Sequence, residues 1–404
     1  TWESLLDNQE ETFGYSLALI QDPIEKKLVF LGTENGLYVS LDEANTWTKW
    51  TNDYPSVSTM DLGIHPREHD LVIATFGRSM YVLDDIRPLR TLAKEGSQIL
   101  NNPLKVYDSP DAFINLIQQP SGTRFGGNAL FNGENRSLRG AKINYSINKP
   151  TDTAKSKKSD SITLKVYNSK NELIRTLKQK APKESGLQKA SWNLDEKGVR
   201  GPSRKIAKKD SPEPRGVGVL PGNYKVVVHY GNHKDSTTIK VAYDPRVDMP
   251  YDVLKSKYDL QKQLEQQMEL TGKAVAQLNE SKEIATTYKK QFKDVDPKKY
   301  KEVIKKSDSI VTSINKLIDA MIGKEDKRQG ITRNPEPTPM NFLSTARRYV
   351  GSLQEKPGKT QLELIKNADE KVSEVMTKID NFFATEWPAY RKEIEGIDFS
   401  LFKD

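Results

Sequence analysis

The side chains whose types and spacing invite a chemical reading are few. His65 and His69 are four residues apart, as are His229 and His233. On one face of a helix such a pair binds zinc when a further ligand converges on it. The first pair instead encloses Pro66 in a turn, and the second straddles the reversal at Gly231-Asn232, so both read as surface turn residues. Asp84 and Asp85 form an adjacent acid pair. Glycoside hydrolysis needs two carboxylates about 5 to 10 Å apart across a cleft, whereas neighbours on a strand point to opposite faces. The chain has no Gly-x-Ser-x-Gly elbow, no phosphate-cradling glycine loop and no His-Glu-x-x-His, so the usual nucleophile, nucleotide and zinc-protease signatures are missing. It also has no cysteine, which excludes disulfides, thiolate metal sites and cysteine nucleophiles. The expectation is no catalytic, cofactor-binding or metal-binding residue in the chain, and no cofactor.

The composition fits that reading. At 404 residues the chain is long enough for two to four ordinary domains. Lys and Arg number 63 against 55 Asp and Glu, a net charge of +8. The densest cationic run, Asp152 to Asp160 ("DTAKSKKSD"), is bounded by acids and lacks aromatic residues. Nucleic-acid binders concentrate arginine, lysine and aromatic side chains on one face, so no nucleic-acid partner is expected. No apolar run approaches the length of about 18 residues that a membrane span needs. The opening residues show no secretory-signal pattern.

The elements that would position any site begin with a repeat. Ser16 to Asp42 laid over Thr59 to Asp85 gives an ungapped register of 43 residues. Leu19 falls on Leu62, Pro23 on Pro66, Leu28-Val29-Phe30 on Leu71-Val72-Ile73, Leu37-Tyr38-Val39 on Met80-Tyr81-Val82, and Asp42 on Asp85. Each copy runs strand, proline turn, strand, glycine turn, strand, at the period of a four-stranded propeller blade. The first copy ends in "SLDEANTW", which approaches the Asp-box pattern Ser-x-Asp-x-Gly-x-Thr-Trp through Ser40, Asp42, Thr46 and Trp47, with Ala44 in place of the glycine.

The roles of these residues are structural. Asp42 accepts backbone N–H groups to fix the hairpin turn, and Trp47 packs between sheets. Alanine at a position that prefers positive φ costs about 1 kcal/mol, which predicts an irregular turn. The second copy keeps Asp85 but continues into "IRPLR", as a terminal blade would. Thr1-Trp2 resembles the end of an earlier box. Two blades do not close a propeller, which needs roughly four to eight, so the chain is expected to be the C-terminal portion of a longer polypeptide, with residues 1–96 as its last blades.

From 104 to 245 the texture changes to short alternating strands. "GAKINYSI", the hairpin Ile162 to Leu177 turning at Asn168 to Asn171, "KASWNL", and the hairpin Leu220 to Tyr243 predict an immunoglobulin- or fibronectin-like β-sandwich with Trp192 in its core. The Lys197 to Val219 stretch, rich in Pro, Gly and basic residues, reads as a long mobile connection. From 250 to 404 the period becomes helical. Leu260, Leu264, Thr271, Val275 and Leu278 form one stripe. Val303, Ile310, Ile314, Leu317 and Met321 form a second, starting near Pro297. Leu362, Ile365, Val372, Val375, Ile379 and Phe382 form another, after a short segment at Ala346 to Leu353. An α-helical bundle or long helical hairpin is expected.

Four stretches, "LGTENGLYVSLDEANTW", "ATFGRSMYVLDDIRPLR", "GLQKASWNLDEKGVRGP" with "LPGNYKVVV", and "FFATEWPAYRKEIE", together resemble the C-terminal portion of large bacterial sortilin-type, BNR-like β-propeller proteins, often labelled glycosyl hydrolases. The resemblance implies an extracytoplasmic protein that is periplasmic, outer-membrane-associated or secreted. Its order would be incomplete propeller, sandwich and helical tail, and its partners the remainder of its own propeller and a protein or glycan. Related xyloglucan-cleaving enzymes place their catalytic aspartates in earlier blades, and no residue here matches that motif. The expected function is a non-catalytic binding or assembly module. The alternative is the C-terminal part of a glycoside hydrolase whose catalytic residues lie upstream.

Overall fold

The computed structural model describes residues 5–6, 13–115, 140–149, 161–206, 208, 210–325 and 337–397. The Thr1-Trp2 pair and the Asp152 to Asp160 run lie outside them. The chain forms two compact units, one of residues 1–194 with 221–247, the other of residues 195–220 with 248–404.

The first unit opens with two antiparallel meanders. Strands β1 (Ser16–Gln21), β2 (Val29–Thr33), β3 (Gly36–Ser40) and β4 (Thr48–Lys49) form one sheet in that order; β5 (Thr59–Ile64), β6 (Leu71–Thr75) and β7 (Met80–Leu83) form the next. Cross-strand pairing shows how the repeat is used. Ile20 faces Phe30, which faces Val39; Leu62 faces Ile73, which faces Tyr81. The middle strands therefore keep the 43-residue spacing while the flanking strands are one residue closer, and Val39 corresponds to Tyr81 rather than Val82. The pairing of β5 with β6 is irregular between Thr59 and Asp61. A one-residue slip reverses the face of every side chain, so Tyr81 packs in the core while Val82 is 51% exposed.

One apolar face of each meander joins a single core with helix α1 (Arg87–Glu95). Leu28, Phe30, Leu37 and Val39 meet Leu71, Ile73, Ile86, Leu89 and Leu92 there. The opposite face of the first meander is partly covered. Phe13 lies against Tyr38, with ring centroids 4.5 Å apart, and Trp47 packs beside them. The opposite face of the second meander leaves Met80 and Val82 exposed, with Phe76 beside them in the β6–β7 turn.

The same unit holds two further sheets. One has the order β13 (Gly186–Trp192), β10 (Ala141–Ile147), β8 (Leu104–Val106). The other has the order β12 (Leu173–Lys180), β11 (Ser161–Tyr167), β16 (Gly222–Tyr230), β17 (His233–Tyr243), β9 (Ala112–Ile114). Only the β17–β9 pair is parallel among these ladders. Trp192 is fully buried, its ring 5.3 Å from that of Tyr224 on the other sheet. The expected turns are present: Asn171 takes φ 61° where β11 reverses into β12, and Gly231 takes φ 57° between β16 and β17.

Among the described residues, the second unit contains β14 (Asp195–Lys197), β15 (Arg215–Gly218) and five helices: α2 (Tyr251–Val295), α3 (Lys301–Ile322), α4 (Pro339–Gly351), α5 (Lys359–Ala384) and α6 (Glu386–Glu395). At about 1.5 Å per residue, the 45 residues of α2 make it the long element on which the others pack. Its first half shares a core with α4 and α5 through Leu264, Leu343, Ala346 and Val372. Its second half shares one with α3, α5 and α6 through Leu278, Phe292, Ile314, Phe382 and Tyr390.

Several expected helical details differ. Leu362 is 54% exposed rather than inward. Helix α3 starts at Lys301, because Asp296 accepts the N–H groups of Lys298 and Lys299 in a turn around Pro297. Helix α4 starts at Pro339, where Thr338 and Asn341 form a reciprocal cap. The stretch expected as a mobile connection is fixed to the helices. Tyr258 donates to Glu196 at 2.6 Å, Asn279 donates to the Ser203 carbonyl at 2.8 Å, and Arg204 pairs with Asp319 at 2.7 Å. Gly272 makes the approach feasible: a Cβ there would stand 2.0 Å from the Arg200 carbonyl oxygen.

Candidate functional site

The five residues singled out as box positions fall into two places. In the turn after β3, Ser40 donates its hydroxyl to Asp42 Oδ1 at 2.8 Å and accepts the N–H groups of Asp42 and Ala44. Asp42 accepts from the Thr46 N–H at 2.8 Å and from the Thr46 hydroxyl at 2.6 Å. Both carboxylate oxygens are thus engaged within their own turn. Burial pulls the Asp42 carboxyl up, but the bonds from Thr46 and Ser40 outweigh it and hold the group below the usual carboxylate range. Trp47 donates its indole N–H to the Leu5 carbonyl at 3.2 Å.

The irregular turn expected from Ala44 is not observed. Glu43 and Ala44 keep φ at 64° and 66°, because the Ser40 and Asp42 hydrogen bonds require that path. The strain is carried at Ala44 instead of being relieved by a change of turn.

Asp85 does something else. It is buried at φ 59° just beyond β7, so the Asp84-Asp85 pair follows a strand rather than lying on one. Its N–H donates to Asp70 Oδ1 at 3.0 Å, and its carboxylate accepts from Arg87 Nε at 2.6 Å and from the Asn144 amide. The carboxylate thus ties the start of α1 to strand β10, whereas Asp42, its match in the 43-residue sequence register, only closes a hairpin.

Beside it lies the most deeply buried ion pair among the described residues. Arg90, on α1, meets Asp22, at the β1–β2 turn, through three bonds: Nε to Oδ1 and to Oδ2, each at 3.0 Å, and Nη2 to Oδ2 at 2.7 Å. The side chains are 9% and 0% exposed. Asp22 also accepts the N–H groups of Ile24 and Glu25 at 2.9 and 2.6 Å, which sets the turn. The remaining Arg90 nitrogen, Nη1, lies 2.9 Å from His69 Nδ1. A guanidinium only donates, so His69 Nδ1 accepts and the neutral ring carries its proton on Nε2. Burial, reinforced by the Arg87 and Arg90 charges, holds His69 below the ordinary imidazole value.

His65 and His233 are exposed at turns as expected, while His69 and His229 depart from that reading. His65 Nδ1 accepts the Glu68 N–H at 3.1 Å, and His69 is half-buried in the Asp22–Arg90 network. His229 lies on β16, and burial together with Lys165 and Lys234 lowers its pKa. Among the described residues no three His, Asp or Glu side chains are grouped to hold a metal ion. None of the described helices is long and apolar enough to cross a membrane.

Asp22, Asp70, Arg90 and Asn144 were not foreseen. The one signal for them was two arginines at spacing three in "IRPLR", set among Ile86, Leu89 and Leu92. An arginine inside an apolar stretch needs a buried carboxylate, but nothing in the order of residues names Asp22. What the cluster does chemically is hold opposite charges in fixed contact. Its acids accept hydrogen bonds from the chain's own donors, and its one imidazole already accepts from a guanidinium. No family model matches the chain, and no curated protein matches it in sequence.

Proposed function

We propose that this chain is a non-catalytic binding or assembly module of an exported β-propeller protein. Residues 1–96 form its last blades, 104–245 an immunoglobulin- or fibronectin-like sandwich and 250–404 a helical bundle. The observation that carries the reading is the engagement of the carboxylates. Both oxygens of Asp42 bond within one turn, and those of Asp85 and Asp22 bond to Arg87, Asn144 and Arg90. A general acid or nucleophile needs an oxygen free to reach a substrate, and these serve as structural acceptors. The bare outer face of the second meander, with Met80 at 62% and Val82 at 51% exposure, is where a further blade would stack.

The test has two arms. Purified chain, wild type and Asp85→Asn, is assayed on a broad polysaccharide panel. No hydrolysis by either is expected, and hydrolysis by the wild type that Asp85→Asn abolishes would overturn the reading. The polypeptide encoded immediately upstream is then co-expressed with the chain, and exchange protection is read at Met80 to Leu83. Protection on association supports assembly into a propeller, while unchanged exposure refutes it. A glycan-cleaving full-length protein whose activity survives deletion of residues 104–404 would favour the alternative, a hydrolase with its site upstream.

A further inference from the structure

The end of the hairpin formed by α2 and α3 concentrates positive charge. Residues 289–306 hold eight lysines against three acidic residues, five of the chain's net eight positive charges. Elsewhere on these helices paired and unpaired basic side chains are mixed: Lys255 pairs with Asp259 at 2.5 Å, Lys273 with Glu269 at 2.7 Å, Lys371 with Glu374 at 2.8 Å and Arg391 with Glu395 at 2.6 Å. At the hairpin end only Lys289 and Lys306 are paired, with Asp308 and Glu393. Lys290, Lys293, Lys298, Lys299, Lys301 and Lys305 are exposed, and among the described residues none of them makes an ion pair.

The repulsion among these six is contained by a firm interior. Phe292 and Tyr300 are buried at 1% and 6% exposure with ring centroids 4.9 Å apart. Asp296 fixes the turn by accepting the N–H groups of Lys298 and Lys299 at 2.9 and 3.0 Å. The lysines are therefore presented together on a packed, outward-facing apex. Charge gathered and left unmatched on a rigid end is what attracts a polyanion.

We propose that this apex is an attachment point for an anionic lipid surface. The side chains select that partner over other polyanions. The segment has no arginine, so it lacks the bidentate fork that reads phosphate or carboxylate groups individually. None of its aromatic rings is among the exposed large hydrophobic side chains, so it offers no stacking platform for bases or sugars. Compact exposed ammonium groups at the end of a hairpin suit a broad anionic surface approached without insertion. Clusters of four to eight lysines adsorb to acidic headgroups in this way. Each lysine near such a surface is worth about a fivefold change in partitioning.

The experiment is co-sedimentation of the full chain with vesicles of phosphatidylcholine alone, or of phosphatidylcholine with phosphatidylglycerol, at low and high salt. Binding to the anionic vesicles only, lost at high salt, is expected. The variant Lys298→Gln/Lys299→Gln/Lys301→Gln should then partition about a hundredfold more weakly, with its helical circular dichroism unchanged. Lys178→Gln/Lys180→Gln/Lys225→Gln, three exposed lysines of the first unit, should bind as wild type. Absence of binding to anionic vesicles would overturn the proposal. So would equal weakening by both triple variants, or tighter salt-sensitive binding to duplex DNA or a soluble sulfated polysaccharide than to the vesicles.

Discussion

Replacing Asp22 with alanine tests the buried network most directly. The substitution leaves the Arg90 guanidinium without its counter-charge in a site where the arginine side chain is 9% exposed. Removing one member of a buried pair costs about 3 to 5 kcal/mol, because the remaining charge is desolvated and unmatched. The N–H groups of Ile24 and Glu25 lose their acceptor as well, for about 1 kcal/mol each where water does not replace it. The total approaches the whole stability of an ordinary domain, so the graded variant Asp22→Asn is the informative one. It keeps an oxygen for the two backbone donors and removes only the charge; about half the alanine cost is expected. Native-state hydrogen exchange on peptides from β2 and α1 reads the loss locally, free of the second unit's own unfolding. The double variant Asp22→Asn/Arg90→Met should cost clearly less than the sum of the single changes, since no charge is then stranded. Single costs below about 1 kcal/mol, or strict additivity, would show that water reaches the pair and that its burial is not what couples the β1–β2 turn to α1.

Three further outcomes follow from strain, space and charge. Ala44→Gly should raise the thermal midpoint, because glycine relieves about 1 kcal/mol of strain at φ 66°; a lower midpoint would mean that the buried methyl matters more. Gly272→Ala should accelerate limited proteolysis within 195–220 and lower stability by about 1 to 3 kcal/mol through overpacking against the Arg200 carbonyl. Intrinsic helix propensity alone would instead make it stabilising by about 1 kcal/mol, so the sign decides. His69 titrates below its ordinary value when folded, so the unfolded chain binds the proton first. Stability should therefore be complete above the ordinary value of about 6.5 and fall as pH drops through it toward the folded value. Exchange protection of α1 at neutral and mildly acidic pH, in wild type and His69→Gln, checks this; an equal pH slope in both would exclude His69 as the source.

The extent to which this architecture is legible in the order of residues depends on how far apart its partners lie. Period-2 and period-3.6 apolar patterns locate β2, β3, β6, the two hairpins and the long helices, because one buried face of each element dictates the spacing. The same patterns misplace β7 by one residue, because Tyr81 and Val82 are both apolar enough to be core and only the Ile73–Tyr81 pairing chooses between them. Docking of the 195–220 stretch is invisible for another reason. Pro, Gly and basic residues mark a chain that avoids regular structure, and they say nothing of whether a glycine 70 residues on, Gly272, leaves a groove for it.

Asp42 and Asp85 make the distinction sharpest. They fall together in the 43-residue sequence register, although the one-residue shift of β7 makes Asp84 the structural equivalent of Asp42. Asp42 finds its donors within four residues, at Ser40 and Thr46, so its role can be inferred from a short motif. Asp85 has one donor nearby, Arg87, two residues on, but its N–H donates to Asp70, 15 residues back, and its other carboxylate oxygen accepts from Asn144, 59 residues on. Arg87 engages Oδ1, so Oδ2 must either reach solvent or recruit a donor from elsewhere in the fold. Burial at 9% exposure removes the first option. Asn144 supplies the donor to Oδ2, and the network of Asp70, Arg87 and Asn144 around Asp85 joins the last meander to the strands that follow.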